Sequence, residues 1–211
     1  MNITIFGGTG ISGILTIEKA LTKGHKVTIY ARNPSKISLE HENLHIVEGS
    51  LTDDKKIDNA IKGADAVISL LGPTGKSKGL ILSSAMKKII QFMEKYGVKR
   101  LIATATPSFK DKNDKFQFGF ALGAFLVKTF LGDTYDDIVE IGNSITKSNL
   151  DWTIVRLPML SNNRLSKLHI GYLGDGKTKM FSLTRENLSD FLLEQLEESK
   201  YVKKSPVICN Y

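Results

Sequence analysis

The chain has 211 residues, 41% of them hydrophobic, and a single cysteine, Cys209. That length and composition suit one α/β domain with a sizeable core, and a lone thiol excludes a disulfide framework and a cysteine-cluster zinc site. The formal net charge of +7 comes from scattered lysines such as Lys55, Lys76, Lys78, Lys110 and Lys203, with no basic run interleaved with aromatics. Such a surface steers phosphate-rich small molecules and argues against a nucleic-acid partner. No apolar run reaches the ~18 residues that span a bilayer, and the N-terminus enters a strand without a secretory signal. A cytoplasmic protein without a metal site is expected.

Strands and helices alternate throughout, which predicts a parallel sheet covered on both faces. A first strand at 2–6 runs into Gly7-Gly8-Thr9-Gly10-Ile11-Ser12-Gly13, and a helix follows over 11–23, closed by Gly24. The spacing G-x-x-G-x-x-G between a strand and a helix opens a dinucleotide fold. Gly7 permits the tight turn, Gly10 lets backbone approach a pyrophosphate, and Gly13 lets the helix pack closely on the sheet. Free N–H groups at the helix start, with the helix dipole, attract the phosphates. Strand two is expected at 25–30, a break at Asn33-Pro34-Ser35, strand three at 44–48 and a helix over 53–62. Strand four takes 66–70, Gly72-Pro73-Thr74-Gly75 forms a loop, and a helix covers 79–96 with Leu82, Met86, Ile89, Ile90 and Met93 at core spacing. Strand five lies at 99–104, a polar loop at 107–114, an apolar segment at 116–131 and a helix over 135–148. Strand six takes 152–156, a last helix 185–198 with Thr184 as N-cap, and 207–209 a final edge strand. No repeat or linker divides the chain. The expectation is one domain over 1–211, a Rossmann-like doubly wound α/β sheet of order 3-2-1-4-5-6 with a seventh strand outside.

In such sheets the ligand sits beyond the carboxyl ends of the strands. Strand two ends Tyr30-Ala31-Arg32-Asn33, with no Asp or Glu to hold a ribose 2′-OH. Arg32 offers a guanidinium fork suited to a 2′-phosphate, with Asn33 beside it and Ser12 and Lys36 as helpers, so NADP(H) is favoured over NAD(H). Strand three ends Glu48-Gly49-Ser50-Leu51-Thr52-Asp53, where an adenine ring would lie; Asp53 also reads as the N-cap of the next helix. Strand four ends at Leu70-Leu71-Gly72, and Gly72 lets the chain pass close to the cofactor. Strand five ends Thr104-Ala105-Thr106-Pro107-Ser108, whose hydroxyls either face the nicotinamide ring or cap the strand end.

The glycine loop, Tyr30-Ala31-Arg32-Asn33-Pro34, Gly63-Ala64-Asp65-Ala66-Val67-Ile68-Ser69, Leu150-Asp151-Trp152-Thr153-Ile154-Val155-Arg156-Leu157-Pro158 and Thr184-Arg185-Glu186-Asn187-Leu188-Ser189-Asp190-Phe191-Leu192-Leu193 span nearly the whole chain. Together they resemble the atypical short-chain dehydrogenase/reductases, in particular the NAD(P)H-binding group of biliverdin reductase B and the NADH-flavin reductases. The resemblance implies an extended parallel sheet, a dinucleotide on its carboxyl edge reaching Pro158, and no catalytic metal. The chain also departs from that group. Gly49-Ser50 replaces the usual Gly-Asp after strand three. The Tyr-x-x-x-Lys pair is missing, since Tyr135 is followed by Val139 and Tyr96 by Arg100. Ile138 and Gly142 stand where many relatives carry Lys or His and Glu, and Met159 stands at a position given to His. Thr106 falls where flavin-reductase-like members place a serine near the nicotinamide.

Without the lysine a tyrosine lacks the neighbour that would lower its pKa for proton transfer. Hydride transfer to a bound flavin or quinone needs mainly stacking, alignment and exclusion of water, with the proton taken from solvent. The residues therefore point to an NADPH-dependent oxidoreductase with a small flavin-like or quinone-like acceptor, and to Thr106 as its catalytic-region hydroxyl. The acceptor pocket is expected around 105–135 and 157–182. The alternative is a catalytically weak NADP(H)-sensing regulatory or interaction protein. The segment 116–131, with Phe116, Phe118, Phe120, Phe125 and Phe130, reads three ways: a lid over an aromatic acceptor, a homodimer or membrane-surface contact, or core packing.

Overall fold

The computed structural model describes residues 1–73, 79–163, 166–179 and 182–211. The lysines at 76 and 78, the end of the Gly72–Gly75 loop, and residues 164–165 and 180–181 of the expected acceptor pocket lie outside the described residues. Six strands, β1 (Asn2–Phe6), β2 (Lys26–Ala31), β3 (Leu44–Glu48), β4 (Ala66–Ser69), β5 (Arg100–Ala105) and β6 (Asp151–Arg156), pair in parallel in the order β3-β2-β1-β4-β5-β6. This is the expected doubly wound order.

Both faces of these strands are apolar, and the strand period of two sorts them. Ile3, Ile5, Val27, Ile29, Ile68, Ile102 and Val155 join one core with α1 (Ile11–Thr22) and α6 (Arg185–Glu194). Phe6, Tyr30, Val67, Leu101, Trp152 and Ile154 join the other with α2 (Asp54–Ile61), α3 (Ile81–Lys95) and α5 (Gly132–Thr146). The helices also hold one another. Lys19 of α1 reaches Glu186 and Asp190 of α6 at 2.6 and 2.7 Å, and Thr16 meets Ser189 at 3.0 Å between their hydroxyl oxygens. Asp137 of α5, almost fully buried, accepts from the N–H groups of Leu82 and Ser83, which supplies α3 with the cap its own sequence lacks.

Two expectations are corrected. The stretch 207–209 is not an edge strand: β10 (Val207–Asn210) lies between β6 and the antiparallel β8 (Leu168–Gly171). Val207, Ile208 and Cys209 are wholly buried, and an apolar run of that kind needs a neighbour on each side. The last helix stops at Glu194 rather than 198, where Arg100 takes the Gln195 carbonyl with two donors at 2.8 and 2.6 Å. The apolar segment is α4 (Phe118–Phe130), and it packs along α5 with Phe120 turned inward. A separate parallel pair, β7 (Leu160–Ser161) with β9 (Leu183–Thr184), follows β6.

One buried ion pair fastens the carboxyl end of the sheet. Arg156 at the end of β6 is fully buried and grips Asp114 with two bonds of 2.6 and 2.8 Å, while donating to the carbonyls of Ser205 and Phe109. Asp114 in turn accepts from the backbone N–H groups of Asp111 and Leu173. The β5–α4 connection, β6, the entry to β10 and the turn after β8 are thereby joined. Removing one partner would leave a charge buried without its counterion, which costs about 3–5 kcal/mol. Asp114→Ala is expected to lower stability to urea by about that amount, and the double change Asp114→Leu/Arg156→Leu to recover part of it; a loss below ~1 kcal/mol for the single variant would contradict this role.

Candidate active site

The site grows from the turn after β1. Gly7 has φ +78°, a left-handed conformation, and a side chain there would stand 2.7 Å from the carbonyl group of Leu70 at the end of β4. Gly13 is closed in as well: a Cβ would lie 2.6 Å from the Gly7 oxygen and 2.7 Å from Gly8 backbone. The first turn of α1 therefore rests directly on the loop. Gly10 is the N-cap, extended at φ −81° and ψ 163°, and its missing Cβ would meet nothing nearer than 3.9 Å. No side chain caps α1 and no acid occupies its first turn. Its leading N–H groups and positive dipole end face open space, an arrangement that fits an anionic group.

Next to this loop is a cleft of about 390 Å³. Gly7, Gly10, Ile11, Ser12 and Gly13 form one side; Leu70, Leu71, Gly72 and Pro73 after β4 form another. Thr104, Ala105 and Thr106 at the end of β5, and Leu157 and Pro158 after β6, form the floor and far wall. These are carboxyl ends of strands on one side of the point where strand order reverses, the usual ligand position in an open parallel sheet. Ile138 and Ile141 of α5, Leu160 of β7, and Arg185 and Leu188 of α6 complete it; Leu160 falls in the expected pocket segment 157–182, whereas sequence reasoning did not assign Ile141, Arg185 or Leu188 to the site. The signal for Arg185 was its position beside the N-cap Thr184, whose hydroxyl accepts from Asn187 at 3.2 Å. Arg185 is the one ionic side chain among the described lining residues, and it donates to Asn162 at 2.6 Å.

Of the expected site residues, Thr9, Arg32, Asn33, Ser50 and Leu51 do not line this cleft. Arg32 directly follows β2, beside β1, and is exposed without a hydrogen bond or ion pair to any described residue. The Asn33 side chain is instead committed to its own turn, accepting from the Ser35 N–H at 3.2 Å and the Ser35 hydroxyl at 2.6 Å. Ser50 shares a hydroxyl contact with Thr52 at 2.8 Å, and Leu51 packs on the core. Asp53 takes the capping role, accepting from the Lys56 N–H at 3.1 Å. The Ser50 carbonyl is held by Tyr30, whose hydroxyl donates at 2.6 Å across a space that only Gly49 leaves open. Burial, reinforced by Asp53 and Asp54, pushes that phenol up to about 12, so it remains a donor throughout the neutral range.

The chemistry of the wall is apolar with a few hydroxyls. Thr104 donates to the Ser69 carbonyl at 3.4 Å, and the Thr106 oxygen accepts from the Ser108 N–H at 3.4 Å. No His, Lys, Tyr, Cys or carboxylate lines the cleft among the described residues. The departure at Gly142 has a steric cause: a Cβ there would overlap the ring of Phe109, which packs against α5 at that point. A second hollow, of about 470 Å³, lies between the loop after Pro107, α4 and Tyr135 of α5, with Lys110, Lys115, Phe116, Phe120 and Phe125 on its walls.

Comparison with known proteins gives the family and the fold. The chain is 26% identical over 223 residues to a phenylcoumaran benzylic ether reductase of Ginkgo biloba, covering 96% of this chain and 67% of that protein. It is 20% identical to pinoresinol reductase 2 of Arabidopsis thaliana over similar shares. Among solved structures, a short-chain dehydrogenase/reductase of Veillonella parvula in complex with NADP superposes with a TM-score of 0.81 at 21% identity, covering 99% of this chain and 94% of that one. ChuY, an anaerobillin reductase of Escherichia coli, gives 0.80 at 17% identity, covering 100% and 97%. The profile of the NAD(P)H-binding family matches residues 7–199, from the first glycine of the loop to just beyond the last helix, and the chain belongs to that family.

Proposed function

We propose that the chain is an NADPH-dependent reductase of the atypical short-chain dehydrogenase/reductase type, acting in the cytoplasm on a planar flavin-like or quinone-like acceptor. The observation that carries the reading is the cleft itself: an uncapped helix start beside an apolar slot that holds no ionisable acid or base among its described residues. The leading N–H groups of α1, with Gly10 offering no side chain in the way, would hold the pyrophosphate, and the unpartnered Arg32 the 2′-phosphate. NADPH bound there supplies a hydride.

The chain's own residues then bind, align and keep water out. Leu70, Leu71, Ile138, Leu157 and Pro158 provide a low-dielectric wall for two stacked rings. Thr106 offers an O–H that has no acceptor among the described residues, suited to a carbonyl or amide oxygen of either ring. Arg185 keeps a fixed positive charge at the mouth, favouring an acceptor that gains electron density. Among the described residues no group lining the cleft is positioned to deliver a proton, so the reduced acceptor draws it from water. The acceptor pocket extends from this cleft into the segments around 105–135 and 157–182. The same absence of acid and base favours a second reading, a protein that senses NADP(H) and does not turn it over.

Three outcomes test these assignments. Mixing the protein with NADPH and a panel of flavins and quinones should consume the reduced nicotinamide absorbance; tight NADPH binding without oxidation by any acceptor would favour the sensing reading. Arg32→Glu should weaken NADPH binding about 10- to 100-fold while leaving NADH nearly unchanged, the loss of charge-assisted bonds worth ~1.5–3 kcal/mol; equal effects on both would remove Arg32 from the site. Thr106→Val should slow turnover by about tenfold with an unchanged NADPH dissociation constant, since it deletes one neutral hydrogen bond of ~0.5–1.5 kcal/mol.

A further inference from the structure

The most exposed apolar surface of the described chain is one helix and the approach to it. Phe116, Phe118, Leu122, Phe125, Leu126 and Phe130 all stand in solvent, with Phe116, Phe118 and Phe130 at 81, 71 and 73% exposure. On α4, positions 118, 122, 125 and 126 follow helical spacing and share one face, while Phe120 turns in to meet Leu173 and Val207. The helix is 13 residues long, about 20 Å, too short to cross a bilayer. A monomer in water rarely leaves such a patch uncovered.

The charge around the patch selects its occupant. Lys110, Lys112 and Lys115 lead into the helix and Lys128 lies in its last turn, all four exposed and none paired with a carboxylate among the described residues. Between Lys115 and Gly132 the sequence has no Asp or Glu at all. The two nearby carboxylates at the start of the segment are already engaged: Asp114 by Arg156, and Asp111 by the Ser205 hydroxyl. A second copy docking through the same face would bring these lysines together, and the exposed acids nearest the helix, Asp133 and Asp136, lie only beyond its far end, away from Lys110, Lys112 and Lys115. Phenylalanines and leucines on one face with unpaired lysines at both ends match a helix lying in the headgroup layer of an anionic membrane.

We propose that α4 is an interfacial docking helix that seats the protein on anionic lipid bilayers, with Phe118, Phe125 and Phe130 inserted and Lys112, Lys115 and Lys128 on the headgroups. This does not depend on the acceptor or on turnover. The full-length protein is to be co-sedimented with phosphatidylcholine vesicles with and without about one-third phosphatidylglycerol, a content at which clustered lysines are attracted strongly. Binding should require the anionic lipid and weaken with added salt. Phe118→Ser/Phe125→Ser/Phe130→Ser should reduce it more than tenfold, and Lys112→Glu/Lys115→Glu/Lys128→Glu likewise, with melting temperature unchanged. Phe125→Trp provides an independent reading, since its emission should move to shorter wavelength on anionic vesicles. A wild-type protein that stays in the supernatant, serine variants that bind as well as wild type, an unshifted Trp emission, or a homodimer that the serine variants split without any vesicle binding would each overturn the proposal.

Discussion

The site depends on how closely the start of α1 lies on the turn after β1. Gly7 must pass against the Leu70 carbonyl in a left-handed conformation, and Gly13 must let Gly7 and Gly8 backbone approach where a Cβ would stand. Those contacts fix the direction of α1, and its uncapped N–H groups are thereby aimed beyond the carboxyl ends of β1 and β4. The α1–α6 contacts made by Lys19 and Thr16 then carry the close packing outward to the second helix, and with it Arg185 and Leu188 to the cleft wall. Cleft wall and scaffold are the same set of contacts here. A larger residue at position 7 or 13 would disturb both.

The opposite wall is held by other means. Arg156 and Asp114 form a dry, bidentate pair that fastens the connection after β5, so that Thr106 and the loop behind it are supported from within the protein. Phe109, whose carbonyl accepts from Arg156, lays its ring against Gly142. Position 142 is therefore filled by packing. Apart from Arg185, the described lining of the cleft is hydroxyls and aliphatic groups, and this is the physical ground for proposing an acceptor that needs no protein acid.

Much of the fold was legible because its signals are local. The glycine spacing, the strand period, Asp53 and Thr184 as caps, and glycines after several helices each follow from a few adjacent residues. The site was legible only where it is built from strand ends: Leu70, Leu71, Thr104, Thr106 and Pro158 could be read as such and do line the cleft. Arg185, Leu188 and Ile141 could not, because they reach it through helix docking, which joins residues distant in sequence. The interior position of β10 was hidden for the same reason, since its outer partner β8 is a short strand with a glycine and a histidine and little apolar pattern. Asn33 and Ser50 show the reverse limit. Each has the right chemistry at the right strand end, and each bonds within its own turn rather than lining the cleft.

Hydride transfer in this cleft is proposed to proceed without a titrating protein group. The single-turnover rate of oxidation of enzyme-bound NADPH, with hydrogen or deuterium at the transferred position, should therefore be followed across pH ~6–8, where a protein acid or base near its working pKa would show itself. The rate should be flat with pH and slowed by deuterium. A rate that rises, falls or passes through a maximum with an apparent pKa inside that window would refute the proposal.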